Sequence, residues 1–88
     1  MEPYPFSEEK LSKNVVVRTF DANLESEELL WHWDDEDRLV EVIGETDWKF
    51  QFDNQLPIEM NKKIFIPKGT WHRAIKGHGD LVVKITKY

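Results

Sequence analysis

Two imidazoles and one carboxylate are the side chains in this sequence best placed to do chemistry. His32 and Asp34 stand two apart in "ELLWHWD" (28–34), and His72 closes the run "PKGTWH" (67–72). In a strand, side chains two apart leave the same face, so His32 and Asp34 would point together, with Leu30 sharing their inward side. If His72 comes from a facing strand, the three converge on one point. Two neutral nitrogens and one carboxylate, with open positions left for a ligand, suit a divalent ion such as Fe, Mn, Ni or Zn. The same residues also read as a semi-buried His72 hydrogen-bonded to Asp34, beside a salt-bridged rim.

Four residues after Asp34 comes Arg38. Its planar fork matches a carboxylate or phosphate. Trp48 and Phe50 read first as core, and as the aromatic wall of the pocket if one opens. His78, between two glycines, reads as a turn residue, and no serine has a positioned base beside it.

Strands must position these residues, because almost everything after residue 13 has period two. The candidates are 14–20, 28–34, 38–44, 47–53, 56–60, 63–66, 70–76 and 81–87. "DWKFQFD" alternates most cleanly, Trp48, Phe50 and Phe52 against Lys49, Gln51 and Asp53. Pro57 confines 56–60 to an edge, "KIFI" reads as covered on both faces, and Asn54 tolerates a left-handed turn. Only "NLESEELL" (23–30) offers a competing helical turn. Short strands at regular spacing predict an all-β antiparallel sandwich or barrel. Residues 1–13 are polar with two prolines and are read as an N-terminal arm, and 14–88 as the barrel domain.

The composition narrows the partners. Seventeen acidic residues against twelve basic give a net charge of −5 with no basic stripe, which argues against nucleic acid. In "DDED" (34–37), the residues after Asp34 read as a solvated turn. No apolar run approaches the ~20 residues of a membrane span, and the opening residues, without a basic stretch followed by an apolar one, do not read as a secretory leader. Without cysteine, disulfides and thiolate metal sites are excluded, and the expectation is a cytoplasmic protein. A chain of 88 residues has a thin core, burying roughly 60–65% of its unfolded surface. Trp31, Trp33 and Trp71 alternate with the inward residues, so they face outward, where a homodimer would cover them.

With these residues in view, the sequence resembles the cupin superfamily over about residues 26–85. The second cupin motif, G-x5-P-x-G-x2-H-x3-N, is matched by Pro67, Gly69 and His72; its leading Gly falls on Asn61 and its closing Asn on Lys76. In the first, G-x5-H-x-H-x3–4-E-x6-G, His32 fits, the second His falls on Asp34, and the Glu falls on Arg38 at the shorter spacing. The resemblance implies a small single-domain cupin-like jelly-roll β-barrel. It also implies a ligand set at His32, Asp34 and His72, with Arg38 where a fourth, acidic ligand is usual. Two unit charges ~4 Å apart at an effective dielectric near 20 repel by about 4 kcal/mol, so either Arg38 turns from any ion or no metal binds, and without metal it pairs with Asp34 or holds a small anionic ligand. Three function classes follow. One is a metal-dependent oxygenase or isomerase, and another a metal-free enzyme similar to sugar epimerases, with a His–Asp dyad as base. The third is a non-catalytic module that binds a small anionic or sugar-like ligand or a partner subunit.

Overall fold

The computed structural model describes residues 6–23, 29–60 and 63–88. Eight strands form, in chain order β1 (Phe6–Ser12), β2 (Val15–Phe20), β3 (Arg38–Val42), β4 (Lys49–Phe52), β5 (Ile58–Glu59), β6 (Lys63–Ile66), β7 (His72–Ile75) and β8 (Leu81–Lys87). They make a five-stranded sheet, β1-β2-β8-β3-β6, and a three-stranded sheet, β5-β4-β7. Every pairing is antiparallel. The two sheets pack as a jelly-roll sandwich, and no hydrogen-bonded ring closes it into a barrel among the described residues.

The alternation seen in the sequence sets which faces meet. Leu81, Val83 and Ile85 on β8 turn inward, and register carries the pattern across the sheet: Val16, Ile85, Val40 and Ile64 form one cross-strand row of buried side chains. On the opposite sheet Phe50 pairs with Ala74 and Phe52 with His72, facing that row. Trp48, just before β4, is buried against Phe20, and its indole Nε1–H donates to the Gly79 carbonyl at 2.6 Å. Beside it Gly77 is required by close approach, because a Cβ there would strike the Asp47 carboxylate and the Trp48 ring.

Several expectations are revised. Residues 6–12, read as part of an arm, are strand β1, hydrogen-bonded along β2; residues 1–5 lie outside the described residues. Of the strand expected at 28–34, the described residues 29–34 keep one bridge, His32 with His72. Asp34 has already left the small sheet for β3, so the chain turns before a ladder can extend. Alternation therefore fails at its start: Leu29 packs on the core, whereas Leu30 is 67% exposed rather than inward. Most of the candidate helical turn at 23–30 falls outside the described residues. β6 is covered on one face only, with Phe65 at 51% exposure. Asn54 does adopt the left-handed conformation, φ 61°, and β5 is a two-residue edge beside Pro57. No helix among the described residues is long and apolar enough to cross a membrane.

Candidate metal centre

The site forms where the chain crosses between the sheets twice, side by side. One crossing runs from the His32 bridge through Asp34 to the start of β3; the other runs from the end of β6 through Pro67–Thr70 into β7. The register pairs Arg38 with Ile66, so both crossings leave the large sheet at the same level. Backbone bonds tie them together. Gly69 N–H donates to the Asp34 carbonyl at 2.9 Å, and Lys68 N–H donates to Asp37 Oδ1 at 2.7 Å. Gly69 has φ +75°, a conformation that residues with a Cβ rarely adopt. Thus the Pro-Lys-Gly run turns the chain and also clamps the loop carrying Asp34. The acidic run is more than a solvated turn: Asp37 accepts from Lys68, and Glu36 pairs with Arg38.

His32, Asp34 and His72 come together as their spacing implies. One donor atom from each lies within 4.8 Å of the others, and they could hold a metal ion. His72 is 4% exposed and packs its ring on Phe50, centroids 5.5 Å apart. The two imidazoles meet edge to face at 4.3 Å. Each histidine is oriented by the backbone two residues earlier: His32 Nδ1 lies 2.8 Å from the Leu30 carbonyl, and His72 Nδ1 lies 2.7 Å from the Thr70 carbonyl. A carbonyl oxygen only accepts, so each Nδ1 carries the proton. That presents Nε2 to the centre, as when a backbone carbonyl fixes the tautomer of a metal-ligating histidine.

One donor pair is spaced as it would be on an ion. His72 Nε2 stands 3.2 Å from Asp34 Oδ2. Two donors each ~2.1 Å from one cation, at an angle near 100°, are separated by about this much. With Nδ1–H committed to Thr70, two states satisfy His72: an imidazolium donating to both acceptors, or a neutral ring whose Nε2 faces a cation.

Arg38 is the departure. Its Nη1 lies 3.2 Å from Asp34 Oδ1 and its Nη2 3.2 Å from Glu36 Oε1, with the side chain largely buried. Arg38 therefore occupies the outer oxygen of Asp34 and leaves Oδ2 for His72. Burial alone raises the Asp34 pKa. The His72 hydrogen bond, the Arg38 charge and the two imidazoles outweigh it and hold the carboxyl below its ordinary value.

Next to these groups lies a cavity of about 50 Å³, lined by His32, Asp34, Arg38 and His72 at its polar end and by residues including Phe50, Met60 and Ile66 elsewhere. Phe50 is among the lining residues; Trp48 is not, its indole donating to the Gly79 carbonyl beside the Phe20 ring. Sequence reading missed Arg18, which also lines the cavity and donates from Nε to Glu8 at 2.6 Å. The signal was present, since Arg18 sits between buried Val16 and Phe20 on the inward face of β2. His78 is an exposed turn residue bonded to Asp47 at 2.5 Å, remote from this centre.

Comparison with known proteins places this architecture. A cupin domain from Bordetella pertussis Tohama I superposes with TM-score 0.63 at 16% identity, over 100% of this chain and 98% of its own. A cupin-2 domain protein from Shewanella frigidimarina gives 0.66 at 17%, over 100% and 85%. The DMSP lyase DddQ from Ruegeria pomeroyi gives 0.72 at 14%, covering 94% of this chain but only 46% of the lyase. Against this and a second DMSP-lyase structure, matched over 36% of its length, the chain spans less than half of the larger protein. No protein-family model matches the chain, and no curated protein sequence does so significantly. The chain has the cupin fold, and its paired crossings hold a His–Asp–His group inside it.

Proposed function

We propose that this is a small metal-binding cupin-fold protein in which His32, Asp34 and His72 hold one divalent cation of the Fe, Mn, Ni or Zn group. The observation that supports this reading best is the joint orientation of the histidines. Both Nδ1 atoms are spent on backbone carbonyls, while Nε2 of His72 stands 3.2 Å from a carboxylate oxygen. When bound, such an ion supplies Lewis-acid polarisation to a ligand on its open positions. The protein's part is to hold two neutral nitrogens and one charge in place, and to wall the site from water with Phe50 and the apolar lining. Arg38 anchors Asp34 so that a single oxygen is offered.

A second reading draws on the same contact. His72 and Asp34 form a dyad in which Asp34, kept ionised, would stabilise an imidazolium as His72 takes a proton from a substrate, without metal. Elemental analysis of untagged protein separates the two, together with melts in Mn(II), Fe(II), Ni(II) and Zn(II). A bound ion at a hundredfold excess over its dissociation constant stabilises the fold by about 2.7 kcal/mol. Stoichiometric metal that is lost in His72→Ala supports the first reading; no metal and no shift with any ion overturns it and leaves the dyad.

A further inference from the structure

We propose that the cavity beside His32, Asp34 and His72 takes a short monocarboxylate of two or three carbons, with its head at the end where Arg38 meets Asp34 and its alkyl part among the apolar side chains. This rests on the cation-binding reading above, because the charge of the site depends on it.

Size is the first constraint. The cavity measures about 50 Å³, and a single water needs roughly 10–15 Å³, so roughly three to five non-hydrogen atoms fit. Acetate or propionate is of this scale; a sugar ring is not. Wall chemistry is the second. Arg18 and Arg38 sit on the lining with the His–Asp–His group, while the remaining walls are aliphatic and aromatic. A fully polar ligand would be stranded against Met60, Ile66 and Leu81, and a fully apolar one against the arginines.

The third constraint is charge. Arg18 pairs with Glu8, and Arg38 is shared between Asp34 and Glu36. Among the described residues, Arg38 with Asp34 and Glu36 leaves one negative charge beside the three donors. A divalent ion on the neutral imidazoles and Asp34 turns that into one positive charge, which a monoanion cancels and a dianion would overshoot. Buried charge is tolerated only when balanced. Arg38 also has a donor to spare: its Nε is buried with no hydrogen-bond partner among the described residues. A buried donor without an acceptor is costly, and a carboxylate oxygen is an acceptor of the right kind.

The test is calorimetry with the full chain. Mn(II) is titrated first, alone, and then propionate into the Mn(II)-loaded and metal-free protein. Propionate is expected to bind the loaded form with one-to-one stoichiometry and at least tenfold tighter than the metal-free form. Propionamide, equal in shape but uncharged, and hexanoate, too long for the cavity, should each bind at least tenfold more weakly than propionate. Ala74→Leu, which fills the cavity from β7, should weaken propionate at least tenfold while leaving Mn(II) affinity unchanged. Tight Mn(II) binding with no propionate signal, or with propionamide or hexanoate equal to propionate, overturns this inference and leaves the metal reading intact. Absence of Mn(II) binding overturns both.

Discussion

The backbone of Asp34 is fastened to the turn that delivers His72, because Gly69 N–H donates to the Asp34 carbonyl at 2.9 Å. Together with the bond from Lys68 N–H to Asp37 Oδ1, it ties the two crossings, and the spacing between carboxylate and imidazole depends on them. Gly69→Ala tests the link. A Cβ there meets nothing within 4 Å, so the cost is backbone strain at φ +75° and not a clash. That strain is about 1–2 kcal/mol, which lowers the melting temperature by roughly 4–8 °C per kcal/mol in a domain of this size. Metal affinity should fall with it; an unchanged melt and unchanged affinity would show that the turn does not position the site.

Arg38→Glu should separate stability from binding. The substitution removes the partner of Asp34 and Glu36, and breaking a largely buried ion pair costs about 3 kcal/mol. The metal-free protein is expected to melt lower, while cation affinity rises because a positive charge gives way to a second carboxylate, the fourth ligand of the set. Titration with Mn(II) reads the second effect. Unchanged affinity would remove Arg38 from the centre.

Acid should weaken the fold through Asp34. Its folded pKa lies below the ordinary value, and the unfolded carboxyl titrates near about 3.9. A depressed carboxyl contributes stability that is complete above the unfolded pKa and lost as pH falls through the folded one. With chelator present, melts of the parent and Asp34→Asn are expected to differ at pH 7 and to converge below about pH 4. A gap constant with pH would mean that the Asp34 charge adds nothing.

The outer face of the small sheet invites a partner. Trp31, Trp33 and Trp71 are exposed there, with the Arg73 guanidinium 4.8 Å above the Trp31 ring and its Nε bonded to Gln51. We propose that a second copy packs on this face, since monomers seldom leave so much contiguous indole in water. Sedimentation at about 100 μM is expected to give a dimer for the parent and a monomer for Trp33→Arg. A parent that sediments as a monomer ends the idea.

Period-two patterning is a local property, and it made most of this fold legible. Val16, Phe20, Phe50, Leu81, Val83 and Ile85 are buried where alternation puts them. It failed where tertiary contacts override local order. Leu30 is outward because the chain makes one bridge at His32 and then turns, so no ladder holds its alternation. Residues 6–12 became a strand because β2 offers an edge, which no local pattern in "FSEEKLS" announces.

By itself, the sequence determined the candidate donors and the turn that brings His72 round: spacing fixes which side chains share a face, and proline with glycine fixes where the chain reverses. Only the tertiary structure decided that the three donors lie within 4.8 Å. It also placed Arg38 on the outer oxygen of Asp34, set Arg18 into the cavity wall and sent Trp48 to the core. Those outcomes depend on how two sheets face each other, and distances between facing sheets are not encoded in the period of either one.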